Sequence, residues 1–329
     1  MTYAAGQTIL DDEYNTFVTG SASGSPLEVT TTNNVNAIWG TGGFTNGSLG
    51  YKQSGLLSPV AAGATISATQ WASLLNRIST IASHQNSSIT AITNPTTGDT
   101  IEALTALSTN IDTIWVNRNN AAAFGSNITT GGSVNYSTAW GGAGQNQNLD
   151  LRHTITFASE AAKDAFFNCG GLITHTCSRS GGTASNKNTA WTAAATAMGT
   201  GNWKGRGASS TLAGSAYTGF TKTGGSGTNT TYVTGTGVQN VAISASFTTF
   251  HKMFAATSPY TASSITRYLR CNTETTIDIW CRFTDDANAN TDESADGTFN
   301  STIILKQPST TYLSNTWGTP TISSSAVTF

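Results

Sequence analysis

The stretch Thr284-Asp-Asp-Ala-Asn-Ala-Asn-Thr-Asp-Glu-Ser-Ala-Asp-Gly-Thr298 holds the densest set of side chains that could do chemistry. Asp286, Asn288 and Asn290 fall at alternate positions, the spacing with which a loop turns its oxygens onto calcium. Thr291 stands where such a loop needs glycine, and Gly297 where it needs a bidentate glutamate. A second frame, through Asp292, Ser294, Asp296 and Gly297, fails at Ile303. The segment from Asp285 to Asp296 therefore reads as a solvated hairpin loop, with calcium binding the weaker alternative.

His84, His153, His175 and His251 are scattered. His153 and His175 lie in alternating segments beside apolar neighbours and read as satisfied core residues. Cys169, Cys177, Cys271 and Cys281 form no Cys-x-x-Cys pair, and no histidine lies at zinc-finger spacing. They read as buried free thiols, the even number leaving disulfides open. No nucleophile elbow, phosphate loop or dinucleotide turn occurs in its strand-to-helix context. Nothing local supplies a base for Cys169 beside His175. With 17 acids any carboxylate pair could be proposed, so no glycosidase pair stands out. We expect no catalytic residue, metal or cofactor. The remaining candidates are aromatics near Gly-rich loops: Trp39, Phe44, Tyr51, Trp140, Trp203 and Trp317. They could stack on sugars or on partner proteins, with Trp39, Tyr51, Trp203 and Trp317 the foremost surface contacts. The opposing reading is that they plug loops onto the core.

The elements that must position these residues change character along the chain. Ala5–Val18 and Ala62–Leu75 echo one another, with Gly6 matching Gly63, Thr8 matching Thr65, Ile9 matching Ile66 and Tyr14 matching Trp71. Each copy reads as a turn, a polar cap (Asp11 or Ser67) and a helix. Trp71, Leu75, Ile78, Ala82 and Gln85 keep helical spacing. So do Leu104, Leu107, Ile111 and Ile114, after Asn94-Pro95-Thr-Thr-Gly-Asp99; the two stripes could pack as an αα-hairpin or form a subunit contact. From residue 131 onward, strands are expected over 134–136, 149–157, 172–177, 232–233, 241–247, 264–271, 276–283 and 301–305. Leu149, Leu151, His153, Ile155 and Phe157 share one parity, as in a half-buried antiparallel sheet. Two helices, 160–168 and about 189–198, interrupt the strands, each stopped by glycine. Residues 199–230 read as a long excursion anchored by Trp203, Tyr217 and Phe220. The fold expected is α+β: a small N-terminal helical domain for assembly or attachment (residues 1–125), then an antiparallel β-sandwich-like domain (126–329) with two inserted helices.

Charged residues make up only 10% of the 329 residues, and Lys+Arg 15 nearly balance Asp+Glu 17. No basic cluster suits nucleic acid or an anionic membrane surface, and no apolar run suits membrane insertion. Met1-Thr-Tyr-Ala-Ala-Gly has neither the basic nor the apolar region of a signal peptide. Assembly in a cytoplasm is the expectation.

One segment carries a resemblance. Phe157-Ala-Ser-Glu-Ala-Ala-Lys-Asp-Ala-Phe-Phe-Asn-Cys-Gly-Gly-Leu172, Ser185-Asn-Lys-Asn-Thr-Ala-Trp191 and Ala197-Met-Gly-Thr200 resemble a module of tailed-bacteriophage virion structural and tail-fibre proteins. In that module a strand leads into a helix closing on Phe-Phe-Asn-x-Gly-Gly, then a strand, then a helix reading Lys-Asn-x-x-Trp. The resemblance covers 150–305, extends more loosely to 1–90, and takes in the Asp-Asp-rich loop ahead of Asp296-Gly-Thr298. Cys169 stands where the family has a small residue. The resemblance implies a non-enzymatic virion component: a tail fibre, fibre base or tail/neck-associated protein. Its partners would be other virion structural proteins and copies of itself, a homo-oligomer with a trimer foremost. Three alternatives stay open: a virion protein binding a host receptor or host-surface glycan, a capsid decoration protein, and a bacterial surface adhesin.

Overall fold

The computed structural model describes residues 11–20, 34–40, 50–94, 96, 104–118, 120, 124–205, 209–212, 215–225, 230–232, 238, 241, 243–286 and 293–329. The N-terminal third is helical: α1 (Asp11–Thr19), α2 (Val35–Trp39), α3 (Ala68–Gln85) and α4 (Leu104–Val116). Ser67 and Gln70 form a reciprocal capping box at the start of α3, and Asn86 ends it in the left-handed region at φ 52°. Trp71 packs edge-on to Phe17 with ring centroids 6.4 Å apart, so the second copy of the sequence echo buries its aromatic against α1. Gly6, Thr8 and Ile9 of the first copy lie outside the described residues, as do Pro95 and residues 97–99. Leu107, Ile111 and Ile114 are fully buried, which places this part of the α4 stripe inside the chain.

The rest is an antiparallel sandwich. Its strands are β1 (Phe124–Ile128), β2 (Ser133–Tyr136), β3 (Asn148–Thr156), β4 (Leu172–Ser180), β5 (Thr200–Lys204), β6 (Ser209–Leu212), β7 (Ser215–Thr218), β8 (Phe220–Thr223), β9 (Thr230–Tyr232), β10 (Thr248–Phe254), β11 (Ser264–Arg270), β12 (Thr276–Thr284), β13 (Thr298–Pro308) and β14 (Thr321–Thr328). One six-stranded sheet runs β1-β13-β4-β5-β8, with β2 also paired to β13; the other runs β14-β3-β12-β11-β10-β9; β6 and β7 pair as a hairpin. Helices α5 (Glu160–Asn168) and α6 (Asn186–Met198) interrupt the strands. Helix α6 starts three residues earlier than expected because Ser185 caps it, accepting from the Asn188 N–H. Gly170 and Gly199 follow the two helices at φ 98° and 57°, in the region glycine favours.

Two expectations are corrected. Among the described residues of 241–247 no strand forms; they bend, and Ile243 makes only an isolated bridge to Cys271. The excursion after α6 instead supplies β5 and β8, with Trp203 and Phe220 buried between the sheets. The side chain of Tyr217 lies outside the described residues.

The boundary at 125 separates helices from strands without separating cores. One apolar cluster runs from Tyr14, Trp71 and Ile111 through Phe166 and Ile303 to Trp317. Polar ties reinforce it: His84 Nε2 lies 3.1 Å from the Cys169 carbonyl, and Asn168 Nδ2 donates to the Gly50 carbonyl at 2.8 Å. A second cluster, around Trp140, Trp191, Phe283 and Phe299, fills the other end of the sandwich.

Candidate functional site

Between these two clusters lies a layer of polar side chains on the inward face of successive strands. Each has apolar neighbours two residues away on its own strand. His153 lies between Leu151 and Ile155 on β3, His175 between Ile173 and Cys177 on β4, Arg267 between Ile265 and Leu269 on β11, and Ser301 between Phe299 and Ile303 on β13. His251 on β10 and Ser324 on β14 complete the layer. His153, His175, His251, Arg267 and Ser301 are all fully buried.

The hydrogen bonds of this layer define where the protons sit. Guanidinium groups only donate. Arg267 Nε donates to His175 Nδ1 at 2.8 Å, so the His175 proton is on Nε2. That Nε2 lies 2.8 Å from Ser301 Oγ, which therefore accepts, and the Ser301 hydroxyl donates to His153 Nε2, also at 2.8 Å. The His153 proton then sits on Nδ1 and is given to Ser324 Oγ at 2.7 Å; Ser324 donates to the Gly131 carbonyl. The chain of donors thus crosses the sandwich in one direction.

Arg267 uses every donor it has. Besides His175 Nδ1, it reaches His251 Nδ1 at 2.8 Å and the carbonyls of Met198 (3.1 Å), Gly199 (2.5 Å) and His175 (3.3 Å). Gly201 leaves room for it, since a Cβ there would come within 3.1 Å of the Arg267 side chain. Burial lowers the pKa of all four histidines, to about 4 for His84 and His153 and about 3 for His251. For His175 the shift goes well below the usual range, with the charge of Arg267 adding to burial. Two thiols face each other beside the arginine. The hydrogen bond from Cys281 lowers the pKa of Cys177, whereas burial raises that of Cys281.

A serine oxygen between two imidazoles has the composition of a nucleophile with its base. Here the Ser301 hydroxyl is committed to His153, its oxygen accepts from His175, and the side chain has no exposed surface. The arrangement holds one rotamer and one set of tautomers, and links the two sheets.

The acidic loop is fastened at both ends to the start of α6. Asp285 pairs with Lys187 at 2.6 Å, both side chains buried. Asp296 accepts from the Thr183 hydroxyl and backbone, from the Asn188 amide and from Arg179. The Thr183 hydrogen bonds, foremost, hold the Asp296 carboxyl below its usual pKa. The calcium reading loses Asp296, of its second frame, to protein donors; Asn288, Asn290 and Asp292 lie outside the described residues, and among those described no cluster of three metal-ligating groups occurs.

The aromatic candidates are not brought together on a surface. Tyr51, Trp140, Trp203 and Trp317 are buried, which corrects the surface-contact reading in favour of loops plugged onto the core. Tyr51 accepts from Gln85 Nε2 at 2.8 Å and donates to the Arg118 carbonyl at 3.1 Å, and the Trp317 indole N–H donates to Gln307 at 3.1 Å. Trp39 is half-buried, with its N–H on the Ser54 carbonyl and the Arg77 guanidinium 3.9 Å above its ring. Phe44 lies outside the described residues. The half-exposed aromatics that sequence reasoning missed lie on the outer face of the second sheet. There Arg152 covers Trp280 at 4.0 Å and Arg270 covers Phe247 at 4.5 Å. Their signal was the outward parity of Trp280 and Tyr268 on β12 and β11.

Compared with protein-family models, with curated proteins and with solved structures, the chain matches none. Among the described residues no helix is long and apolar enough to cross a membrane.

Proposed function

We propose that the chain is a non-enzymatic structural component of a tailed-phage virion, a tail fibre, fibre base or tail/neck-associated protein. The observation that carries this reading is the part played by the residues of the module. Phe166 and Phe167 stack edge-on at 5.0 Å in the cluster shared with the helical region. Trp191 packs 5.6 Å from Trp140 in the opposite cluster. Asn168 ties α5 to Gly50. Every one of these contacts is architectural. In the most elaborate polar constellation His153, His175, Arg267 and Ser301 are buried, where they can fasten the two sheets. The sparse charge suits close packing of neighbouring chains, since like-charge repulsion between them is small.

The host-glycan alternative no longer has Tyr51, Trp203 or Trp317 as stacking faces. The reading is tested by banding phage particles that encode this chain and digesting them for mass spectrometry. A virion component is recovered in fixed stoichiometry with the other particle proteins. Its absence from intact, infectious particles would overturn the assignment.

A further inference from the structure

Four of the five outermost strands of the two sheets are blunted against further pairing. The β1 register shifts between Phe124 and Asn127, β2 and β8 have four residues each and β9 three. Strand β14 is the exception. It pairs with β3 in an unbroken register from Thr321↔Thr156 to Thr328↔Leu149. It contains neither proline nor charge, and no charged side chain follows Lys306 through Phe329.

The open hydrogen-bonding groups of β14 can be assigned. Phe329 and Asn148 exchange both backbone bonds. By antiparallel alternation the odd residues from Thr321 to Val327 also face β3, so Ile322, Ser324, Ala326 and Thr328 direct their N–H and C=O away from it. The β1–β2 turn covers the first of these: a Cβ on Gly131 would lie 2.2 Å from the Ile322 carbonyl. No backbone bond to any described residue covers Ser324, Ala326 or Thr328. Beside this edge Val327 and Phe329 are exposed apolar side chains.

We propose that this edge pairs with the same edge of a second copy of the chain, antiparallel, about a two-fold axis at Ala326. Ser324 then faces Thr328 of the second copy, Ser325 faces Val327, and Ser323 faces Phe329. This register uses the three open residues in both directions and leaves Ile322 under Gly131. It also keeps inner face beside inner face, so two six-stranded sheets become one continuous sheet. A second copy fits because the strand carries no charge to repel itself, and a two-fold contact needs only one self-complementary surface. The symmetry differs from the three-fold that the phage resemblance implies.

Light scattering on the full chain over a concentration series tests this. A mass of twice 34.1 kDa is expected. Ala326→Pro removes only an outward N–H, which edge strands tolerate, and should weaken the dimer by about tenfold or more while leaving thermal unfolding of the monomer nearly unchanged. The double variant Ser325→Cys/Val327→Cys should give a covalent dimer under mild oxidation, and neither single variant should. A monomer at all concentrations, a mass of three times 34.1 kDa, a dimer indifferent to Ala326→Pro, or no cross-link in the double variant overturns the pairing. If Ala326→Pro fails to fold, the cross-link decides. The isolated chain is measured, so failure here leaves the virion reading standing, and absence from particles leaves the dimer standing.

Discussion

Helix α6 has a buried cation at each end, and the two are neutralised differently. Lys187, in the first turn, sits where the helix dipole is positive and pairs with Asp285 at 2.6 Å. Arg267 meets the other end, where the Met198 and Gly199 carbonyls converge, and its remaining donors go to two neutral imidazoles and one more carbonyl. Among the described residues no carboxylate hydrogen-bonds to it. A cation at a helix N-terminus needs a counter-ion, whereas at the C-terminus the aligned carbonyls supply much of the negative potential. The same helix therefore explains why one end of the sandwich contains an ion pair and the other a histidine layer.

Acid should break this comparison most strongly, and at the arginine end. The histidine pKa values are depressed in the folded chain, so the unfolded chain binds protons first as pH falls. The stability held by neutral histidines is complete above about pH 6.5 and is lost progressively as pH drops towards 4. For His153 in the layer, and for His84 outside it on the Cys169 carbonyl, the loss is on the order of 3 kcal/mol each. Arg267 faces His175 and His251, and Lys222 also faces His251, so added protons there meet existing positive charge. Urea unfolding at pH 7, 6 and 5 should show a falling midpoint; a flat profile would count against the neutral tautomers.

Arg267→Met should come next, at about 3–5 kcal/mol, because it leaves two imidazole nitrogens and the carbonyls without their buried donor. A loss below about 1 kcal/mol in denaturant unfolding would mean that the helix end does not depend on the arginine. Asp285→Ala should cost about 3–4 kcal/mol by stranding Lys187, whereas the double change Lys187→Met/Asp285→Leu should restore most of it. If the double variant is no better than the single, the ion pair is not what the Lys187 end requires. Ser301→Ala should be smallest, about 1–3 kcal/mol, from one unpaired imidazole N–H and one unpaired acceptor. Its imidazole proton resonances should broaden or shift at both His153 and His175; a change at one ring alone would contradict the bridge.

Much of the fold was legible because its signals are local. Glu160–Asn168 followed by Gly170 holds a helix and its stop within about a dozen residues, and α5 has those bounds. The alternation of β3 placed Leu149, Leu151, His153 and Ile155 inward, and all four are buried. The four cysteines are free and buried, as their spacing suggested. Strands β5 and β8 were missed because Thr200–Lys204 and Phe220–Thr223 are short and each holds a single anchoring aromatic. The loop aromatics were ambiguous because the sequence near Trp203 or Trp317 does not say which way the ring turns.

Sequence alone determined the Ser67 cap, the strand parity and the scarcity of charge, since each depends on neighbours within a few residues or on composition. Only the tertiary structure decided that His153, His175, Arg267 and Ser301 meet, because they lie on four strands of two sheets and are joined through pairings 92, 126 and 148 residues apart along the chain. Parity marks each of them as inward. Which inward residues come to share one layer depends on strand order and register, and these follow from burying both apolar clusters at once.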